Sequence, residues 1–198
     1  LVSWGAIGAR TTESQAHREL ASGLSCPVGF KNATDGGLQI AIDACLSAAN
    51  PHHFMSLTRE GHSAIFSTTG NPDCHVILRG GKTPNYNAQS IDDAANQIGR
   101  SGLSARFMVD CSHANSGKNH LQQEAVCHDV AQQITNGEQR IMGLMLESNL
   151  VAGRQNQQPG KDLYGQSITD ACMAWDNTEP LLRELAAAIR TRRKHTAE

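Results

Sequence analysis

The amino-acid sequence predicts an α/β protein with a parallel β-sheet. Short apolar runs alternate five times with amphipathic stretches of helix length along the 198 residues, and parallel strands need crossover connections of that size. Residues 141–146 are almost continuously apolar, as in a strand of a sheet that is covered on both faces. Two architectures share this pattern, an open doubly wound sheet and a closed (β/α)8 barrel.

A barrel requires more chain than these five units provide. At the spacing found in this sequence, eight units would need roughly 300 residues, which is within the range of barrels with insertions. The sequence also starts at Leu1 inside an apolar stretch rather than at a methionine. If the architecture is a barrel, we therefore expect about three further units on the N-terminal side.

The individual elements follow from the spacing of apolar residues. We expect the main strands at 1–9, 27–31, 74–78, 106–110 and 141–146, and the helices at 11–24, 35–49, 88–100, 121–136 and 178–193. Thr11 or Thr12 is expected to cap the first helix, and Asn136-Gly137 to end the fourth.

A small β-ribbon is predicted between the second helix and the third main strand. Residues 53–58 and 65–69 form its two strands, because Thr69-Gly70-Asn71-Pro72 is a typical turn that leads into the next strand. We place this insertion at about residues 53–71, within a single domain of residues 1–198. The polar stretch 152–162 is predicted to be a flexible loop.

The composition excludes several classes of protein. No apolar run approaches the ~20 residues of a membrane helix, so we expect no membrane association. The net charge is −2 and the basic residues are scattered, so no nucleic-acid binding is expected. The six cysteines contain no CxxC pair and mostly lie in apolar segments, which predicts reduced thiols in a cytoplasmic protein.

A charged residue or a histidine stands at or just after the end of each predicted strand. The set consists of Arg10, Lys31, Arg79, His113 and Glu147. A single residue of this kind is usually a solvated charge. The carboxyl ends of parallel strands, however, meet at one rim, where α/β proteins bind their ligands. Five such residues in succession therefore predict a binding site at that rim.

Three of these residues are cations from neighbouring strands, and we call Arg10, Lys31 and Arg79 the rim cations. Arginine offers a phosphate or carboxylate a planar fork of donors, and lysine offers a mobile point charge. Gly8 precedes the first cation, and Gly80 and Gly81 follow the third; glycine lets backbone N–H groups approach a phosphate closely. The rim cations thus predict a site for an anionic, phosphorylated ligand.

The other rim residues predict a metal site. We call His113, Glu147 and Asp170, the last from the loop before the final helix, the metal triad. One imidazole and two carboxylates suit one divalent metal ion, Mn, Fe, Co or Zn. Each residue also has a structural interpretation, the histidine as a hydrogen-bonded rim residue and Asp170 as a helix cap. No HxH or HExxH spacing decides between these interpretations.

Five stretches of the sequence resemble class I 3-deoxy-D-arabino-heptulosonate 7-phosphate (DAHP) synthases. They are WGAIGARTTESQ (4–15), GLSCPVGFKN (23–32), ILRGGK (77–82), DCSHAN (110–115) and SITDAC (167–172). The resemblance runs in order along essentially the whole chain. It implies a (β/α)8 TIM barrel, of which this chain covers about the last five units plus the inserted ribbon.

The resemblance also implies a reaction, the metal-dependent, aldol-like condensation of phosphoenolpyruvate with erythrose 4-phosphate to DAHP and phosphate. This is the first step of the shikimate pathway to the aromatic amino acids. The rim cations would hold phosphoenolpyruvate, the metal triad would supply three metal ligands, and Lys31 and His113 would be the catalytic residues. The family's fourth metal ligand is a cysteine in an early part that has no counterpart in this sequence. A chain of these residues alone is therefore expected to be an incomplete barrel with an unpaired edge and no useful activity.

Members of the resembled family are oligomeric and are inhibited by an aromatic amino acid. Ser25, Phe54 and Ser56 match positions that line the effector pocket, or they simply pack the ribbon. We accordingly expect a homo-oligomer, dimer or tetramer, with an aromatic amino acid effector. Two alternatives stay open. One is a catalytically incomplete fragment or effector-binding remnant, and the other is a different metal-dependent barrel aldolase that does not need phosphoenolpyruvate.

Overall fold

The computed structural model of the protein describes residues 2–195. Leu1 of the first predicted strand and residues 196–198 of the predicted domain lie outside the described residues. The strands are β1 (Gly5–Ile7), β2 (Val28–Lys31), β3 (His53–Leu57), β4 (Ser63–Ser67), β5 (Cys74–Leu78), β6 (Phe107–Asp110), β7 (Ile141–Met145), β8 (Ser148–Asn149), β9 (Val151–Arg154), β10 (Gln166–Ser167) and β11 (Met173–Ala174). The helices are α1 (Gln15–Ser22), α2 (Gln39–Ala48), α3 (Ala88–Arg100), α4 (Gln122–Thr135) and α5 (Trp175–His195).

The main sheet has five strands in the order β1-β2-β5-β6-β7. Every neighbouring pair is parallel, which confirms the predicted α/β class. The order follows the chain without the reversal that defines a doubly wound sheet. The described strands are therefore connected in the manner of successive strand-helix units. None of the helices in the described part of the chain is long and apolar enough to cross a membrane.

The two faces of this sheet have different roles. Alternate residues of β2, β5 and β6 enter the main core beside the helices, namely Val28, Phe30, Val76, Leu78, Phe107 and Val109. Side chains alternate between the faces of a strand, so Lys31 and Asp110 at the strand ends belong to the opposite face, and Arg79 continues that alternation past β5. Short strands thus supply core side chains and functional side chains at the same time.

The first helix begins later than the sequence predicts. The hydroxyls of Thr11 and Thr12 do not cap it, because both donate to the carbonyl oxygen of Gly8. The hydroxyl of Thr12 also lies 2.8 Å from the carbonyl oxygen of Lys31, which ties the end of β1 to the end of β2. The helix starts only after Ser14. The first strand is correspondingly short, three residues rather than nine.

The predicted ribbon is confirmed as the antiparallel pair β3–β4. Phe54 lies opposite Phe66, and their ring centroids are 6.2 Å apart. The stretch 152–162 was predicted to be a loop throughout, but β9 occupies its first residues and pairs with β10. Strands of two to four residues are too short for a periodic pattern to indicate them.

Candidate active site at the carboxyl ends of the strands

A cleft of about 470 Å³ opens at the carboxyl ends of the main strands. Arg10, Arg79 and all three residues of the metal triad line it, so five of the six predicted rim residues share one cavity. Its wall also contains Ser112, Ser116, Lys118, His120 and Gln123, which the sequence analysis did not single out.

The metal triad has the geometry of a cation site. One ligand atom from each of its three residues lies within 4.8 Å of the other two, and His113 Nε2 is 3.9 Å from Glu147 Oε1. Two ligands at about 2.1 Å from one ion can be at most about 4.2 Å apart, so small side-chain shifts would close the set around an ion. A mixed nitrogen and oxygen donor set suits Mn, Fe, Co or Zn. The residues therefore fit a divalent metal ion.

Asp110 orients the histidine of the triad. Its Oδ2 lies 2.9 Å from His113 Nδ1, and its Oδ1 accepts hydrogen bonds from the backbone N–H (2.9 Å) and the hydroxyl (2.5 Å) of Ser112. A carboxylate can only accept, so Nδ1 is a protonated nitrogen, and Nε2 is the ring nitrogen that faces the triad. Metal-ligating histidines commonly have such a carboxylate partner.

The backbone of this segment is held in an uncommon conformation. His113 has φ 54° and Lys118 has φ 61°, a region that non-glycine residues occupy rarely and that clusters at functional sites. The backbone N–H of Lys118 donates to the carbonyl oxygen of His113 at 2.6 Å, which closes the loop on itself. The loop therefore presents His113 to the cleft in one fixed conformation.

Two carboxyl groups at the site have shifted pKa values in opposite directions. Burial would raise the pKa of Asp110, but hydrogen bonds from His113, Lys31 and Ser112 and the charge of Lys31 outweigh it, and they hold that pKa well below its usual range. Burial raises the pKa of Glu147, with a further contribution from its carboxylate neighbours against the opposing effect of His113. A bound cation would relieve this crowding of negative charge.

Lys31 is not among the residues that line the cleft. Its ammonium group donates to Asp110 Oδ2 at 2.7 Å, and the two side chains are 11% and 0% exposed. Because His113 Nδ1 contacts the same oxygen, Asp110 joins the two residues that the resemblance suggests as catalytic. Asp110 ends the predicted strand 106–110 but is not among the predicted site residues, because His113 is the predicted functional residue of this segment. Its position two residues after Met108, on the same face of β6, was the available signal.

Arg10 and Arg79 are available to an anion. The backbone N–H of Arg79 donates to Asn32 Oδ1 at 2.8 Å, which fixes the start of its loop. Within residues 2–195, neither guanidinium group pairs with a carboxylate. Two unpaired guanidinium groups in one cleft with a metal triad favour a ligand that carries phosphate or carboxylate groups.

Asparagine side chains connect the loops that follow β2, β5 and β6. Asn32 Nδ2 donates to the carbonyl oxygen of Gly80 at 3.0 Å. Asn115 Oδ1 accepts from the backbone N–H of Asn85 at 2.8 Å, and Asn115 Nδ2 donates to the carbonyl oxygen of Asp110 at 2.8 Å. These bonds make the rim one connected network. It could not be predicted, because asparagines in loops are common and their partners are distant in sequence.

The glycines after Arg79 serve packing rather than anion binding. The backbone N–H of Gly80 donates to the Asn85 side chain and that of Gly81 to a carbonyl oxygen of its own loop, so neither is directed at a phosphate as predicted. A Cβ on Gly81 would lie 2.2 Å from the Cα of Gly36. Only glycine permits this approach of the two loops.

The predicted effector residues lie around the ribbon. Phe54 and Ser56 belong to β3, and Ser25 is exposed just beyond α1. The hydroxyls of Ser22 and Thr68 are 2.8 Å apart, so the base of the ribbon packs on the end of α1 close to Ser25.

Residues 1–183, which include all of the rim, match the sequence model of the DAHP synthetase I family. The chain belongs to this family. The family resemblance carried by the five sequence motifs is thereby confirmed.

The sequence is similar to those of curated members of this family. The Phe-sensitive phospho-2-dehydro-3-deoxyheptonate aldolase of Escherichia coli (strain K12) is 59% identical over 194 residues, which are 98% of this chain and 55% of that protein. The Tyr-sensitive aldolase of the same organism is 53% identical over 187 residues, 93% of this chain and 52% of that protein. The chain spans about half the length of the curated relatives it matches.

A solved structure shares the fold. The phospho-2-dehydro-3-deoxyheptonate aldolase of Francisella tularensis superimposes with a TM-score of 0.92 at 49% sequence identity. The match covers 96% of this chain and 56% of that one.

Proposed function

We propose that this chain carries the phosphoenolpyruvate- and metal-binding part of a DAHP synthase, the enzyme that condenses phosphoenolpyruvate, erythrose 4-phosphate and water to DAHP and phosphate. Its strand-helix units would be the last five of a TIM barrel, in a single domain of residues 1–198 with the ribbon inserted at about 53–71. One observation carries the proposal. The metal triad and two unpaired arginines line the same cleft, in a chain that belongs to the family.

The rim cations act on phosphoenolpyruvate. Arg10, Lys31 and Arg79 bind its phosphate group, and Lys31 also lies near its carboxylate, so that C3 of the enol is held against the aldehyde carbon of erythrose 4-phosphate. Holding two reactants in this way can contribute roughly 7–11 kcal/mol to lowering such a barrier. C3 forms the new carbon–carbon bond while the aldehyde oxygen takes a proton. Water then adds at C2, and the bond from C2 to the phosphate oxygen breaks.

The metal triad binds one divalent ion, Mn, Fe, Co or Zn. When bound, the ion supplies Lewis-acid polarisation of the aldehyde. His113 offers Nε2, while Glu147 and Asp170 each offer a carboxylate oxygen. Asp110 keeps the imidazole ring in the orientation and the tautomer that this role needs.

The mass of the intact purified protein is measured first, to establish the length of its polypeptide. The proposed binding of phosphoenolpyruvate by the rim cations is then tested with Arg79→Gln. Loss of a charged hydrogen-bonding group should raise the KM for phosphoenolpyruvate roughly 10- to 100-fold. The matched control is Arg100→Gln, an exposed arginine at the end of α3. An unchanged KM for phosphoenolpyruvate in the Arg79 variant would remove Arg79 from the site.

The metal half is tested by titrating the metal-free protein with Mn²⁺ in a calorimeter. His113→Ala should abolish stoichiometric binding and also the condensation activity, which a chelator should stop in the unmodified protein. His62→Ala, which changes an exposed histidine in the ribbon, should bind as the unmodified protein does. A His113 variant that remains active without metal would refute the assignment of the triad.

We further propose that the protein is a cytoplasmic homo-oligomer that binds an aromatic amino acid at the ribbon. Its relatives include a Phe-sensitive and a Tyr-sensitive aldolase, which supports an amino acid effector. All six cysteines lie in the described part of the chain as free thiols, which suits a reducing compartment. Phe54→Leu should weaken phenylalanine or tyrosine binding, whereas Met55→Leu, at a side chain 76% exposed, should not. Equal binding by both variants would argue against the ribbon as the effector site.

A further inference from the structure

Gln123 is a completely buried polar side chain in the first turn of α4. Glutamine is mostly exposed in proteins, and a buried amide needs partners at both of its ends. A single residue, Glu147, provides a partner for each end of the amide. The backbone N–H of Glu147 donates to Gln123 Oε1 at 2.8 Å, and Gln123 Nε2 donates to the carbonyl oxygen of Glu147 at 3.3 Å. Nε2 also lies 3.4 Å from the carbonyl oxygen of His120.

This pair of bonds imitates a β-sheet contact. Directly opposed residues of an antiparallel ladder exchange both of their backbone hydrogen bonds in the same way. Strand β7 ends at Met145, two residues before Glu147. The side-chain amide of Gln123 therefore acts as a strand partner just beyond the end of the sheet. The backbone N–H of Met173 donates to the same Glu147 carbonyl oxygen at 2.9 Å, which ties this point to the segment that follows Asp170.

The direction of the Glu147 carboxylate depends on its backbone. Among residues 2–195, no donor forms a hydrogen bond with the Glu147 carboxylate, and His113 Nε2 lies 3.9 Å from Glu147 Oε1. The side chain is 28% exposed and would be free to turn towards solvent. Fixing both the N–H and the C=O of Glu147 fixes its Cα and the direction in which its side chain leaves the chain.

We propose that Gln123 is a positioning residue, which clamps the backbone of Glu147 so that its carboxylate stays in the metal triad. The inference rests on the proposed metal centre. All hydrogen bonds of the Gln123 side chain are to backbone groups, two of Glu147 and one of His120. Gln123 acts only through Glu147, as groups behind a metal ligand commonly do.

The test is the affinity of the intact, metal-free protein for Mn²⁺, measured by titration calorimetry. Gln123→Met keeps the length of the side chain and removes both hydrogen bonds. We expect its Kd for Mn²⁺ to rise roughly 10- to 100-fold, the usual range for loss of a group behind a metal ligand. The matched control is Gln122→Met, the same change at the exposed neighbouring position, with a Kd within about twofold of the unmodified protein.

Gln123→Asn is a second variant for the case in which the methionine variant does not fold. The asparagine side chain keeps the amide but is shorter by one carbon–carbon bond, about 1.5 Å. Its amide therefore cannot reach both backbone groups of Glu147. We expect a weaker Kd for Mn²⁺ in this variant too. The melting temperature of the metal-free variants is measured in parallel. A purely structural glutamine would lower that temperature and leave the Mn²⁺ affinity unchanged, which would overturn the proposal.

The two proposals fail in different ways. If the unmodified protein binds no stoichiometric Mn²⁺, the metal centre is wrong and the clamp is wrong with it. If the unmodified protein binds Mn²⁺ and a folded Gln123 variant binds it equally well, the clamp alone is refuted and the metal centre stands.

Discussion

Breaking the buried ion pair between Lys31 and Asp110 should be strongly destabilising, because either single change leaves a buried charge behind. The two groups are 2.7 Å apart with side chains 11% and 0% exposed, and removing one partner of such a pair usually costs about 3–5 kcal/mol. In Lys31→Met the stranded carboxylate would keep three other donors, from the backbone and hydroxyl of Ser112 and from His113. The cost for that variant should therefore be near the lower end, about 3 kcal/mol.

Asp110→Asn should cost more than Lys31→Met. No other hydrogen bond is made by the Lys31 ammonium group among the described residues, so this change leaves a buried cation without a charged partner. We expect about 4–5 kcal/mol for Asp110→Asn. For a protein of this size, 3 kcal/mol corresponds to a decrease in melting temperature of roughly 6–12 °C. The double variant should be less destabilised than the sum of the two single variants, by at least about 1 kcal/mol.

Urea unfolding of the metal-free protein measures all three variants. The control is Arg183→Met, which removes an exposed partner of Glu179 on α5 and should cost less than about 1 kcal/mol. Single-variant costs below about 1 kcal/mol, or strict additivity in the double variant, would refute the argument that burial makes this pair strong.

Three further effects should be measurable by the same unfolding methods. Gly70→Ala should cost several kcal/mol, because φ is +87° and the new Cβ would lie 2.2 Å from the carbonyl oxygen of Ala49. Gly61→Ala, with φ +84° and nothing within 4 Å, should cost only about 1 kcal/mol, and equal losses would contradict the steric argument. Burial lowers the pKa of the His75 imidazole in the folded protein. On acidification this imidazole is therefore protonated more readily in the unfolded chain, and the free energy of unfolding should fall as the pH drops below about 6.5. His75→Gln should flatten that part of the pH profile. The hydrogen bond that His128 donates to the Glu184 carboxylate on α5 raises the pKa of His128. The contribution of this pair to stability should be present below about pH 6.5 and be lost as the pH rises through the folded-state pKa, a dependence that His128→Gln should remove.

The regular elements could be predicted because each buries one face along a repeating pattern. The third helix was predicted at 88–100 and is found at Ala88–Arg100, where the buried Ile91, Ala94, Ala95 and Ile98 follow helical spacing. Strands β8 to β11 could not be predicted, because they consist of only two to four residues and depend on partners distant in sequence. The prediction that Thr11 or Thr12 caps α1 is wrong for a related reason. Thr12 has a carbonyl partner on Lys31, which no local pattern reveals.

The charged residues that follow the strands could be predicted, whether the folded protein exposes them or, like Lys31 and Arg79, buries them. Arg10 and Glu147 were identified because charges that follow apolar strands are conspicuous in a sequence. The residues that hold them in place were missed, because Asn32 resembles a turn residue and Gln123 lies in a polar run at a helix start. Their function depends on being buried against backbone groups of other segments, and burial of a polar residue is a property of the tertiary structure.

The rim cations and the metal triad are connected through one carboxylate, that of Asp110. Asp110 Oδ2 contacts both Lys31 Nζ at 2.7 Å and His113 Nδ1 at 2.9 Å. A single buried oxygen therefore sets the position of a residue from each half. If the proposed function holds, loss of Arg79 should affect phosphoenolpyruvate binding alone, whereas loss of the Asp110 charge should weaken metal binding as well. The two halves of the site then have to be treated as one electrostatic unit, with a carboxylate at its centre that touches neither substrate nor metal.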